Sequence, residues 1–116
     1  MLKIESPLEL KKRYYGQLPQ VIKRDGTLQE FDRSRIERAI SKAFKAVGEP
    51  LEEGVLKDLC DEVIEKVLEL KKDKVHVEEI QDIVEERLIL HGFAKTAKAY
   101  ILYRKKGRSL ETYQRP

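Results

Sequence analysis

The stretch Val21-Ile22-Lys23-Arg24-Asp25-Gly26-Thr27-Leu28-Gln29-Glu30-Phe31-Asp32-Arg33-Ser34-Arg35-Ile36 carries two structural signals in succession. Asp25-Gly26 lies between two short strand-like runs, and a tight primed turn needs the positive φ that glycine adopts without steric cost. This predicts a β-hairpin. Asp32 then precedes Ile36, Ala39, Ile40, Ala43, Phe44 and Val47 at helical spacing, and its carboxylate suits the orphan amides of a helix start. The apolar alternation of the hairpin is too broken to set its register. In a regular strand Lys23 and Arg24 leave on opposite faces, so their use at one site requires a twist or a bulge.

Working outward towards the C-terminus, Gly48 and Pro50 end the first helix in the expected order. A second helix is predicted from about Leu51 to Lys72, with Val55, Leu59, Val63 and Val67 on its apolar stripe. Val75 and Val77 flank His76 in a short break that admits a third strand. Glu78 and Glu79 suit the positive end of a third helix, which carries Ile80, Ile83, Val84 and Leu88 to Gly92. A fourth begins near Phe93. Its Ala94, Ala97, Ala99 and Ile101 form a small-residue surface, and Arg104, Lys105 and Lys106 make its end basic. The expected fold class is α+β, mainly helical with about four helices, and a small two- or three-stranded antiparallel sheet that includes the hairpin. The expected division is an arm at 1–19, a domain at 20–107 and a tail or linker at 108–116. Pro7 after Ser6 suits one short helix in the arm.

At 116 residues and 13.6 kDa the chain has room for one domain. Charged side chains make up 39%, but 24 cations against 21 anions leave a net charge of only +3, which argues against a general nucleic-acid coat. Abundant Lys and Glu with no Asn resemble heat-adapted proteins. The single cysteine, Cys60, can form neither an intrachain disulfide nor a Cys-rich zinc site, and it falls on a helix stripe suited to core packing. His76 and His91 lie apart with no other ligands at metal spacing, and the paired acids Glu78-Glu79 and Glu85-Glu86 fit exposed helix turns. No catalytic residue and no metal site is expected. The chain has no apolar stretch near the ~18 residues of a membrane span and no signal core, so no membrane partner is expected and the expected location is cytoplasmic.

Lys23, Arg24 and Arg35 surround a tight turn and a helix N-terminus. Such a cluster is either a solvated basic face or an anion site, because helix-start amides with converging Lys and Arg are what a polyphosphate needs. Further motifs occur in a fixed order: Phe31-Asp32 with Arg35-Ile36, Ala39-Ile40 and Ala43, Val77-Glu78-Glu79-Ile80-Gln81-Asp82-Ile83-Val84-Glu85, and Ala97-Lys98-Ala99-Tyr100-Ile101-Leu102-Tyr103-Arg104. With Lys23-Arg24-Asp25-Gly26 they resemble the ATP-cone. That nucleotide-sensing domain stands at the N-terminus of many ribonucleotide reductases and after the zinc ribbon of the repressor of their genes. The resemblance runs from about Gln20 to Lys106.

It implies a helical cap over a small sheet, with ATP or dATP as effector, possible Mg2+, and a site between the hairpin and the first helix. Lys23 and Arg24 would meet phosphates or the base edge, while Gln29, Glu30, Phe31, Asp32, Arg33, Ser34 and Arg35 would wrap the nucleotide. Arg35 replaces the family's usual Lys, which keeps the charge and alters the reach. Asp32 would contact the nucleotide or only cap the helix, Ile36 would pack on the base, and Lys105 matches a position that can meet phosphates. The implied function is allosteric control of ribonucleotide reductase by a domain that does no chemistry itself. The implied partners are the catalytic or radical-generating part of the reductase and a possible homo-oligomer, docking through the face of Ala94, Ala97 and Ile101 or through the arm. The alternatives are the sensing part of a transcriptional regulator and a stand-alone nucleotide-binding interaction protein. One cysteine cannot build the repressor's zinc site, and direct nucleic-acid contact is not expected. A phosphate-transferring enzyme is disfavoured because no Gly-x-x-x-x-Gly-Lys loop is present.

Overall fold

A computed structural model describes residues 18–113, with side chains described as far as Lys105; the short helix expected in the arm lies outside the described residues. Strand β1 (Gln20–Ile22) and strand β2 (Leu28–Gln29) form the hairpin, with Val21 opposite Gln29 and Ile22 opposite Leu28. Helix α1 (Arg33–Val47) and helix α2 (Glu53–Glu69) follow, then strand β3 (Lys74–His76) leads directly into helix α3 (Val77–Leu90). Helix α4 (Ala94–Tyr113) closes the described chain, and its backbone continues through Gly107, so that glycine does not end it.

The sheet order is β2-β1-β3, and β3 runs parallel to β1. The expectation of a wholly antiparallel sheet therefore holds for the hairpin only. A parallel neighbour needs a long crossover, and α1 with α2 supplies it by returning the chain to the end at which β1 began. Val21 sits opposite Val75 across that pairing, and both side chains are buried. The sheet is thus pinned to the helical layer at its centre.

Helix ends follow the sequence closely. Asp32 is extended (φ −130°) and accepts from the Ser34 amide at 2.9 Å, which makes it the α1 N-cap. Gly48 takes a left-handed conformation (φ 68°), while Glu49 N–H donates to Phe44 C=O at 3.1 Å and Gly48 N–H to Lys45 C=O at 3.2 Å. That pair of bonds is a Schellman stop. At α3 the Glu79 carboxylate accepts from the His76 amide at 3.0 Å; its bond with the Lys72 ammonium, and after it that amide bond, lower its pKa.

Ile40, Phe44, Leu59, Val63 and Leu88 are fully or almost fully buried where the helices meet, and Cys60 lies among them as a small core residue. Burial pushes its thiol up to about 12, so it stays protonated. Phe93 follows the α3–α4 turn and meets Phe44 edge to face, with ring centroids 4.9 Å apart. Ala97 belongs to this core, so part of the small-residue surface expected as a docking face packs within the chain; Ala94 remains exposed. Among the described residues no helix is long and apolar enough to cross a membrane.

Candidate functional site

The hairpin turn determines the site. Gly26 N–H donates to Lys23 C=O at 2.9 Å and Lys23 N–H donates to Thr27 C=O at 2.8 Å. Gly26 has φ 87°, whereas Asp25 is not among the residues of positive φ. Both primed two-residue turns need positive φ at the first central position, here Asp25, so the loop is instead the three-residue kind, Arg24-Asp25-Gly26, with glycine forming a bulge. The Asp25 carboxylate locks it by accepting from the Thr27 hydroxyl at 2.7 Å and the Thr27 amide at 3.0 Å. Those two bonds, the hydroxyl first, hold its carboxyl below the ordinary range. The bulge resolves the difficulty of regular alternation: Lys23 and Arg24 line the same hollow.

That hollow, about 480 Å3, is walled by Lys23, Arg24, Asp25, Gln29 and Arg35, with Val77 and Gln81 of α3 opposite. It adjoins a second of about 200 Å3, the two sharing Gln29, Arg35, Val77 and Gln81. The second is mostly apolar, with Phe31, Ile36 and Ala39 on one side and Ile80, Val84 and Tyr100 on the other. A wide cationic mouth therefore opens onto a narrower apolar cleft. Such a pairing accepts a ligand with an anionic end and a flat apolar end.

The residues expected to wrap a ligand divide into two groups. Gln29, Phe31, Asp32, Arg35 and Ile36 line one or both hollows. Asp32 caps α1, one of the two roles left open by the sequence, and it also lines the cleft. The Ser34 hydroxyl at 2.6 Å, then the Ser34 amide, lowers its pKa, and the Arg35 Nε stands 3.7 Å from its other oxygen. Arg33 turns the other way: it donates to Asp61 at 2.7 Å, Glu37 at 3.0 Å and the Lys57 carbonyl at 3.3 Å, fastening the start of α1 to α2. Ser34 serves the Asp32 cap. Glu30 and Lys105 are exposed and line neither hollow.

Several wall residues were not nominated from the sequence, among them Val77, Gln81 and Tyr100. Val77 and Gln81 stand one helical turn apart on α3, and the apolar count that assigned Ile80 and Val84 to the core left Gln81 unassigned. Tyr100 is buried, and burial raises its phenol pKa. Arg104 is a larger departure. Grouped in sequence with a basic helix end, it is in fact buried, and it binds Asp82 at 2.9 Å and Glu85 at short range. Its own carbonyl accepts from Arg24 at 3.4 Å, and Arg24 also donates to the Gln81 side chain at 3.4 Å.

Among the described residues, four helices over a three-stranded mixed sheet, with a cation-lined hollow between a bulged hairpin and a helix start, define a small α+β domain. The chain belongs to the ATP-cone domain family, whose model matches residues 19–108. It is 41% identical over 100 residues to a vitamin B12-dependent ribonucleoside-diphosphate reductase of Thermoplasma acidophilum, covering 80% of this chain and 12% of that protein. It is 38% identical over 91 residues to the ribonucleoside-diphosphate reductase subunit alpha of Chlamydia pneumoniae, covering 72% and 9%. An anaerobic ribonucleoside-triphosphate reductase of Haemophilus influenzae is 37% identical over 84 residues, covering 72% and 12%. The chain thus spans only about a tenth of the length of these relatives.

Proposed function

We propose that this chain is a regulatory module that binds ATP or dATP and passes its state to a ribonucleotide reductase, without itself performing chemistry. The observation that carries the reading is the junction of the two hollows: Lys23, Arg24 and Arg35 at the mouth suit a triphosphate, and the cleft between Ile36, Phe31 and Tyr100 suits a purine. Gln29, Asp32 and Gln81 supply polar atoms at the boundary, where a ribose or base edge would lie. Among the described residues no cluster of three or more His, Cys, Asp or Glu could hold a metal. Mg2+ therefore enters this reading as the triphosphate's own counter-ion.

The ligand-binding unit is taken as 20–107, flanked by an arm at 1–19 and a link at 108–116, a division that the family match at 19–108 supports. The partner is the catalytic or radical-generating part of a reductase, supported by three relatives that carry this domain in much longer chains. ATP and dATP can bias that partner, or an oligomer of it, only through different affinities for its states.

Calorimetric and thermal-shift titrations with ATP, dATP, GTP and AMP test the reading. At about 100 times the dissociation constant an adenine triphosphate adds about 2.7 kcal/mol of stability by mass action, and AMP adds less at equal concentration. No heat and no shift with either ATP or dATP, in a chain that melts cooperatively, refutes it. Lys23→Ala with Arg24→Ala should abolish the response while the fold is kept.

A further inference from the structure

Glu78, Asp82 and Glu85 lie on one face of α3, spaced so that successive side chains are helical neighbours. Facing them are two guanidinium groups, Arg104 from α4 and Arg24 from the hairpin loop. Arg104 sits 2.9 Å from Asp82, in contact with Glu85, and 3.6 Å from one oxygen of Glu78. The other oxygen of Glu78 is 3.9 Å from Arg24 Nε. Glu78 is thus shared between a guanidinium at 6% side-chain exposure and one that lines the anion hollow.

On the reading of that hollow as the nucleotide site, we infer that Arg104 is its positioning residue. By sharing Glu78 with Arg24 and holding its two acidic neighbours, Arg104 weakens the hold of that carboxylate on the guanidinium that a phosphate would meet. Without Arg104 the face of Glu78, Asp82 and Glu85 loses a buried positive charge, while Glu78 keeps its approach to Arg24. The carboxylate then competes with the incoming phosphate for the same donors and repels it. The two guanidinium groups are shielded from solvent, with 21% and 6% side-chain exposure, whereas Glu78 is 41% exposed, so the effect lies between that of buried and that of freely exposed charges. Arg104 needs no contact with the ligand for this.

The experiment is calorimetric titration of the whole chain with MgATP, each variant first checked by thermal melt. Arg104→Gln is expected to bind about tenfold more weakly, and adding Glu78→Gln to it should restore affinity to within about threefold. A purely structural Arg104 gives no such rescue. Wild-type affinity in Arg104→Gln, or a double variant as weak as the single one, overturns the inference. Should Arg104→Gln fail to fold, Glu78→Gln alone decides, with severalfold tighter binding expected and equal or weaker binding overturning it. A ligand-free arm separates this inference from the nucleotide reading: solvent exchange of the Arg24 Nε proton, followed by NMR, should slow in Arg104→Gln. Unchanged exchange overturns the inference, whereas a wild-type chain that ignores ATP overturns the nucleotide reading and leaves the exchange result to decide Arg104.

Discussion

Removing the Asp61 carboxylate should loosen the start of α1 and, through it, the anion hollow. Asp61 is buried in α2, with its side chain 7% exposed, and binds Arg33 at 2.7 Å and Lys57 at 3.1 Å. Arg33 is 25% exposed, so this pair is largely removed from water, whereas Lys57 at 58% adds little. Breaking a buried pair by deleting one partner costs about 3 to 5 kcal/mol. The Glu37 carboxylate stays 3.0 Å from Arg33 and receives part of its charge, which places Asp61→Ala near the lower end, about 3 kcal/mol. For a domain of this size that lowers Tm by about 15 °C. Urea denaturation gives the free energy, and the same variant titrated with ATP below its melting range gives the functional effect. Arg33 is the anchor behind Asp32 and Arg35, so affinity should fall as well. Replacing both partners, Arg33→Met with Asp61→Leu, should recover most of the stability, since apolar packing often equals a buried ion pair. A loss below about 1 kcal/mol in Asp61→Ala would refute the claim that this pair fastens α1 to α2.

Gly26→Ala meets no atom within 4 Å of its new Cβ, so its cost of about 1 kcal/mol comes from φ 87° alone; chemical denaturation checks it, and Gly26→Asn should cost less. Asp32 and Glu79 both have folded pKa values below their ordinary 3.8 and 4.5, so their stabilisation is present above those values and is lost as pH falls through the lowered ones. NMR titration should therefore show Ser34→Ala moving the Asp32 midpoint up towards 3.8, with less stability lost on acidification. Native Cys60 should resist a thiol reagent at neutral pH and react at the rate of global unfolding, because the thiol is buried and its pKa is pushed up to about 12.

Local chemistry made most of the fold legible. The Asp32 cap, the Gly48 stop and the period of Ile36, Ile40 and Phe44 each depend on neighbours within a turn or two, and the structure keeps all of them. Strand direction is different, because nothing in Lys74–His76 states whether it meets β1 parallel or antiparallel; that follows from how far α1 and α2 carry the chain. The hairpin shows a third case. Asp-Gly announced a turn, but the loop type rested on Asp25 bonding Thr27 rather than taking positive φ, and that difference places Lys23 and Arg24 together.

The site was legible where it lay on one stretch of chain and obscure where it was assembled from distant ones. Gln29, Phe31, Asp32, Arg35 and Ile36 could be nominated from the hairpin and cap, though with Glu30, Arg33 and Ser34 that line neither hollow, whereas Gln81 and Tyr100 enter only because α3 and α4 fold over that stretch. Arg104 was hidden for a physical reason: a cation beside Lys105 and Lys106 resembles a solvated helix end until its three carboxylate partners are known. Its burial gives Arg24 two tasks. The same guanidinium lines the cation-lined hollow and donates to the Arg104 carbonyl at 3.4 Å, so the hollow and α4 share one side chain.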